Sequence, residues 1–358
     1  MDLNIFKSLA QQSPQIAEEL AEQARTHLKT SNVETSFVIR IMRLLTLYGY
    51  ATETAPATYV ANQHTMALGS PDGGVASWLI HNFDQSMGIM HKSVPYFAEH
   101  GYAFPTNDRV GPAQDYNKTD KTSYELWEDQ PKVIANFQNF LRAMMHAVSP
   151  WFVWMNAAER IKQCRQEAKT EETSDVLLVD VGGGSGTNVR AFRDYLQNAG
   201  IKGRLIDEDL EHVIKEARVA EDAAVKEEPG SASSTVQIEY VPHDFLTPQP
   251  AVAQGALFYY VRYILHNCAD DRSAALLARI AAAMNPGYSR LLINERVLRS
   301  MGNGLQASGL DLIMGIMHAA RERTFEEYEE LVTNAGMKVV AWHKCSDAGE
   351  DVVECMLA

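Results

Sequence analysis

The chain opens with helical periodicity. In FKSLAQQSPQIAEELAEQ the apolar residues recur at helical spacing, and Ser13 before Pro14 reads as a cap with proline at the first helical position. A second stretch, ETSFVIRIMRLLTLYGY, predicts a helix ending near Gly49. ATETAPATYVANQHTMAL then alternates and is rich in Thr and Val, which predicts a small β-hairpin. Helices leading into a short hairpin suggest a winged-helix-like unit. Residues 72–122 are mixed, with HGYAFPTNDRVGPAQDYNKTD reading as loop. Helical patterning resumes at SYELWEDQPKVIANFQNFLRAMMHAVSPWFVWMNAAERIKQC, and the charged QEAKTEETSD separates it from the C-terminal half of the chain. A boundary is expected near Ser149, with one long helix leading across it. Residues 1–148 then form a mainly helical, winged-helix-like domain that packs over and caps a substrate.

From Val176 the texture changes. VLLVDV is a short continuous apolar run, as expected of a parallel strand buried on both faces. A glycine cluster and the helix-like TNVRAFRDYLQNA come next. RLIDEDL, VQIEYVPHDF and SRLLINERVL read as strands, EHVIKEARVAEDAAV and SAALLARIAAAM as helices, and GALFYYVRYILHN as a strand running into a helix. EEPGSASS reads as a surface loop. This alternation predicts an α/β fold, a Rossmann-like doubly wound sheet over residues 149–358.

Composition narrows the partners. The chain has 358 residues, 46% of them apolar, and a formal net charge of -14. A surface that acidic repels phosphate backbones and anionic lipid, so nucleic acid and membrane partners are disfavoured and a neutral or cationic small molecule fits better. The winged-helix-like region carries no basic recognition run. No apolar run approaches the roughly 20 residues that span a bilayer, and the acidic N-terminus lacks a secretory pattern. The four cysteines form no CxxC pair, which points to a reduced, cytoplasmic setting and gives no metal-ligand cluster.

The strongest local signal is VLLVDVGGGSGTNV. A strand bearing Asp180 turns through Gly182, Gly183, Gly184 and Gly186 into a helix, and glycine there lets a ligand approach the backbone closely. A dinucleotide fingerprint would need its last glycine at Thr187, so GxGxxG fails and GxGxG stands. That pattern after an acid suits a ligand with no phosphate and an amino-acid end, with Asp180 facing an ammonium. The second strand closes with acids, and Asp209, or alternatively Asp207, could accept from both hydroxyls of a ribose. The third ends VPHDF, where Asp244 could accept from an adenine amino group while Phe245 packs on the ring; a helix cap and a core phenylalanine are the plainer alternative. His266 stands at the C-terminal side of the fourth strand, the edge where open α/β sheets bind ligands, and its ordinary pKa near 6.5 suits a general base.

Taken in order, VDVGGGSG, DLEHVI, HDF, YYVRYILHN, LLINERVL and RERTFEEYEELVTNAGM resemble the S-adenosylmethionine (SAM)-dependent O-methyltransferases of the plant caffeic-acid type, and most of all their branch in fungal secondary metabolism. The resemblance runs from about Phe6 to the C-terminus. It implies that Gly182, Gly183 and Gly184 line SAM, that Asp209 is the ribose acid, that Asp244 and Phe245 are the adenine pair, and that Arg262 is the basic contact beside the cofactor. His266 matches the catalytic base, with Glu295 and Glu322 as the carboxylates that hold it. No metal is implied. A homodimer is implied, although relatives usually carry further N-terminal helices ahead of the stretch present here. Asn267 and Cys268 depart from the family's Asp and aromatic after the histidine, and DLE replaces its DLP.

Pocket candidates are the apolar Met87, Met90, Phe140, Trp151, Phe152, Met314 and Met317. Such spacing also describes an ordinary core. His91 and His318 are weaker polar candidates, with an ordinary surface or core histidine the favoured reading. The leading function is methylation of a phenol or enol of a polyketide- or alkaloid-like metabolite. The alternative is a repurposed relative that keeps SAM while catalysing dehydration or pericyclic ring formation. In such relatives the histidine position is often changed, whereas here it is retained. A non-catalytic SAM-binding regulator comes third.

Overall fold

The computed structural model describes residues 2–70, 73–168, 173–227, 235–345 and 350–358. Most of the expected EEPGSASS loop and the middle of the charged QEAKTEETSD stretch lie outside the described residues. The chain divides into two compact units, Met1–Gly88 with Tyr124–Ala147, and Ile89–Ser123 with Val148–Ala358.

In the first unit the Ser13–Pro14 pair does not start a helix. Gln15 and Ile16 pair antiparallel with Tyr59 and Thr58, so the chain is extended there and the helix begins at Ala17, where Glu19 accepts the Ile16 N–H at 3.0 Å. The next helix, α1 (Thr35–Leu47), ends as the pattern indicates. The hairpin forms from Thr52–Ala55 and Thr58–Val60. Leu9, Leu20, Ala24, Val38, Met42 and Tyr59 close a small core between these helices and the hairpin. The helices Gly74–His81 and Pro131–Ala147 pack so tightly that a Cβ on Gly74 would overlap Ala143. The expected long helix across the boundary stops at Ala147. Pro150 cannot continue it, and two shorter helices succeed it at Trp151–Trp154 and Ala157–Glu167.

The second unit is built on a seven-stranded sheet. Its strands are β1 (Val176–Val181), β2 (Gly203–Asp209), β3 (Val236–Pro242), β4 (Phe258–Arg262), β5 (Arg290–Glu295), β6 (Met337–His343) and β7 (Asp351–Leu357). Their order is β6-β7-β5-β4-β1-β2-β3, with β1 to β5 parallel and β7 antiparallel to both neighbours. The helices of this layered fold include α2 (Thr187–Asn198), α3 (Glu211–Glu227), α4 (Asp270–Ala283), α5 (Leu305–His318) and α6 (Phe325–Asn334). Every residue of β1 is buried, because both faces are covered: one core holds Val179, Val181 and Tyr259, the other Leu178, Phe192 and Tyr260. The strand order reverses between β1 and β4, and a sheet of this kind opens a ligand crevice at that point, beyond the strands' C-terminal ends. The antiparallel pair β6–β7 has no counterpart in the sequence pattern. The predicted helix after β4 is a single 3-10 turn, Leu265–Asn267.

Candidate active site

The chain leaves β1 through a turn that only glycine accommodates easily. Gly182, Gly184 and Gly186 have φ of 71°, 65° and 72°, the left-handed region that side chains disfavour. At Gly183 the limit is space, since an added Cβ would overlap the Asp207 carboxylate. At Gly184 an added Cβ meets nothing within 4 Å. The turn is tied to β2 by Gly182 and Gly183 N–H donating to the Glu208 carbonyl at 2.8 and 3.2 Å, and by Gly184 N–H donating to Asp209 Oδ2 at 2.9 Å. Leu210 N–H donates to the other oxygen of Asp209 at 2.7 Å.

Acids surround this turn. Asp180 is buried, accepts from Asn188 Nδ2 at 3.0 Å, and is pushed by that burial to a pKa of about 6. Asp207 is fully buried, with both carboxylate oxygens unpartnered among the described residues, and burial together with Asp180 raises it well above the carboxylate range. Asp209, less buried, faces Gly184. Phe245 comes within 4.0 Å of the Cβ position of Gly182, and Ile264 reaches the same point at 2.7 Å. Asp244 accepts from Leu246 N–H at 2.9 Å and so shapes the turn after β3. Arg262 engages Glu350 through Nε and Nη2 at 2.6 and 2.8 Å, and its charge also favours ionised Asp180. The set fits S-adenosylmethionine: carboxylates for an ammonium and a ribose diol, an aromatic ring, and open space at Gly184. Acids at every turn would repel the pyrophosphate of a dinucleotide.

His266 sits in the turn after β4 and is 6% exposed. Its Nδ1 lies 2.8 Å from Glu322 Oε1. A carboxylate accepts, so the proton resides on Nδ1 and the lone pair on Nε2. Glu295, at the end of β5, does not bond the imidazole. Its Oε1 accepts the N–H groups of Ile264 and Leu265 at 3.0 and 2.9 Å, which holds the turn rather than the ring. Burial lowers the affinity of His266 for a proton, but the charges of Glu295 and Glu322 outweigh it and its pKa ends above the ordinary value. Burial also pushes Glu295 up to about 7. One donor atom from each of His266, Glu295 and Glu322 lies within 4.8 Å of the others, a set able to hold an ion where the sequence suggests no ligand cluster.

Other side chains complete the frame, and the sequence pattern does not reveal them. Arg323, 1% exposed, donates to the carbonyls of Leu265 and Cys268 at 2.7 and 3.0 Å and to Asp270 at 2.7 Å. It pins the His266 turn opposite Glu295, and its place beside Glu322 is the only signal it gives in sequence. Asn267, where the family has Asp, donates to the Tyr263 carbonyl at 2.8 Å. Cys268 is buried. Asp311 on α5 accepts the Glu322 N–H at 3.0 Å. Glu208 accepts from Gln249 Nε2 at 2.7 Å and lies 3.2 Å from His243 Nδ1, bracing the turn that carries Asp244 and Phe245.

The pocket candidates separate. Met314 and Met317 are buried on α5, the helix that packs on the His266 turn. Trp151 and Phe152 lie in the core, Trp151 stacked on Tyr260 at 4.9 Å and Phe152 against Phe192 at 5.3 Å. Met90 is half-buried and His91 exposed in the second unit, where His318 is buried. Met87 is 55% exposed and Phe140 packs near Phe137 in the first unit.

A family model for the O-methyltransferase domain matches residues 165–338. The chain is 31% identical to O-methyltransferase penC of Penicillium thymicola over 359 aligned positions, covering 99% of this chain and 81% of that protein. It is 29% identical to the demethylsterigmatocystin 6-O-methyltransferase of Aspergillus flavus, covering 99% and 82%. Among solved structures, LepI in complex with SAH and a substrate analogue superposes with a TM-score of 0.82 at 26% identity, over 100% of this chain and 84% of that one. The mitomycin 7-O-methyltransferase MmcR shares the fold, with a TM-score of 0.71 at 21% identity over 100% and 94%. With the glycine turn, its acids and the histidine turn on one sheet edge, and with these relatives, the chain belongs to the SAM-dependent O-methyltransferase family.

Proposed function

We propose that this enzyme methylates a hydroxyl of a small phenolic, polyketide- or alkaloid-like metabolite in fungal secondary metabolism, with His266 as the general base. The observation that carries this reading is the 2.8 Å bond from His266 Nδ1 to Glu322, which leaves Nε2 free to accept a proton. S-adenosylmethionine supplies a methyl carbon activated by its sulfonium. Asp180 would hold its ammonium, Asp209 its ribose, and Asp244 and Phe245 its adenine, with the glycine turn along its length. Asp209 is preferred over Asp207 because Asp207 is sealed beneath Gly183.

A protonated phenol, with a pKa of about 10, is a weak nucleophile. His266 Nε2 takes that proton as the oxygen reacts, and Glu322 offsets the charge the imidazole gains. Glu295 and Arg323 keep the turn, and so the ring, in place. Positioning the oxygen is the other half of the work. Met314 and Met317, on a helix that touches the turn, are the candidates best placed for an apolar acceptor.

A homodimer is part of this proposal. It is supported by the outer face of α1, where Phe37, Leu44 and Leu47 are each more than half exposed, and by Tyr48 directly after it, which is also more than half exposed. A cytoplasmic setting agrees with four free cysteines and with the lack, among the described residues, of any helix long and apolar enough to cross a membrane.

One observation favours a second reading. A solved pericyclic reaction enzyme superposes with a TM-score of 0.83 at 26% identity. Mass spectrometry separates the two. Incubation with SAM and a panel of phenols and hydroxypyridones should give a product heavier by one methylene, with S-adenosylhomocysteine (SAH) formed in step. Conversion without mass gain and with SAM intact would favour the pericyclic reading.

A further inference from the structure

Helix α5 carries a notch. Gly315 is a buried glycine inside that helix, and an added Cβ there would come within 2.6 Å of Cδ1 and 2.7 Å of Cε1 of Phe104. Glycine weakens a helix interior, so a buried one with a ring against its backbone marks a close approach that the helix keeps open. The ring is not buried in return. Phe104 is 51% exposed, with Phe97 edge-on to it at 5.5 Å. One side of Phe104 is fixed on the helix, and about half of its surface is left to meet something else.

The position of the notch gives it meaning. Asp311 turns its side chain toward the catalytic segment, where it accepts the Glu322 N–H at 3.0 Å, and Glu322 in turn bonds His266 Nδ1 at 2.8 Å. Gly315 follows Asp311 by four residues, so the two share one helix face, about 6 Å apart along the axis. Phe104 therefore lies about one helical turn from the residue that braces the partner of the base. The segment that brings it there, residues 101–111, is tied to the same region a second time. Asp108 Oδ2 accepts from Arg272 Nη1 at 3.0 Å, on α4, the helix that follows the His266 turn. Pro105 packs against Gly111, 3.0 Å from its Cβ position, which folds this segment back on itself.

We propose that Phe104, seated in the Gly315 notch, is a specificity-determining residue whose free surface packs on a flat aromatic ring of the acceptor. A phenyl ring carries no donor or acceptor, so it selects by shape and by its π-face. An aromatic partner can meet it offset-stacked or edge-to-face, and a saturated ring of the same size makes neither contact. The proposal rests on the methyl-transfer reading only in calling this ligand the acceptor.

The test is calorimetric titration of the SAH-saturated full chain with 2-naphthol and with its saturated counterpart, decahydro-2-naphthol. The wild type should bind 2-naphthol about three- to tenfold more tightly, the range of an aromatic pair. Phe104→Leu keeps an apolar side chain. It should remove most of that preference and leave decahydro-2-naphthol and SAH affinity within about twofold. Gly315→Ala keeps the phenylalanine but drives a methyl group into its ring, and should lose the same preference. Phe104→Leu decides the matter if Gly315→Ala fails to fold. Equal wild-type affinity for the two ligands, no 2-naphthol binding, or a preference that survives Phe104→Leu would overturn the proposal. So would an equal loss for both ligands, which would mean that the ring only holds its loop. Failure of methyl transfer would appear instead as no SAH formed from SAM with any phenol, on which these titrations do not depend.

Discussion

His266 and Glu322 lie 56 positions apart in sequence and meet at 2.8 Å, both buried. Glu295, equally buried, binds the backbone of the same turn instead of the ring. The two acids therefore do different work, and substitution should separate them.

Glu322→Gln removes the charge that favours protonated His266. The acid limb of the kcat/KM profile should move to lower pH, and the plateau should fall by about 10²-fold, inside the range for orienting carboxylates. A pH–rate profile of both proteins checks this. An unmoved limb would mean that Glu322 does not face the titrating base.

Glu295→Gln keeps an acceptor for the two N–H groups while removing a buried charge. Burial raises the Glu295 pKa from 4.5 to about 7, so between these values the folded state holds a proton that the unfolded state releases. Stability therefore falls as pH rises through that window. His266 acts in the same direction: its raised pKa contributes stability below 6.5 that is lost as pH rises through the folded value. Thermal melts from pH 5 to 8 should show a shallower decline for the variant, with a Tm at pH 8 at least equal to wild type. A steeper decline would contradict the assignment.

Gly183→Ala and Gly184→Ala should fail differently. The first drives a methyl group into the Asp207 carboxylate and should lower Tm. The second has room, costs about 1–2 kcal/mol for its left-handed backbone, and places a methyl group on the open side of the turn. Titration with SAH should show at least about a tenfold loss of affinity for Gly184→Ala, beyond what its stability explains. Wild-type SAH binding in that variant would remove the turn from the cofactor site.

Arg323→Met removes the charged donor shared by the carbonyls of Leu265 and Cys268, which keep Cys268 N–H at 3.1 Å and Ser273 Oγ at 3.3 Å, and hydrogen bonds to a charged group contribute about 1.5–3 kcal/mol each. Urea denaturation should report a loss of about 2–5 kcal/mol. A neutral result would mean that the turn is held by Glu295 alone.

The sheet was legible because β1 is buried on both faces and reads as VLLVDV, with a glycine turn directly behind it. The antiparallel β6–β7 pair was not, since KVVAWH and VVECML are short apolar runs whose periodicity does not say which strands they pair with or in which direction. Ser13–Pro14 has the chemistry of a helix start, but pairing of Gln15 and Ile16 with the hairpin overrides it. At the site, His266, Glu295 and Glu322 were visible through ordered motifs. Arg323 and Glu350 were not, because a charged residue in sequence carries no mark of burial. Glu295 illustrates the limit: its place near the histidine turn was foreseeable, but whether its oxygens reach the ring or the backbone depends on where β5 ends.

The most direct measurement is SAH release by wild type and His266→Ala, with SAM and an accepted phenol, under SAM saturation. If His266 is the general base, release should fall by about 10²–10⁴-fold with SAH affinity retained. Methyl transfer at the wild-type rate in His266→Ala would contradict that role.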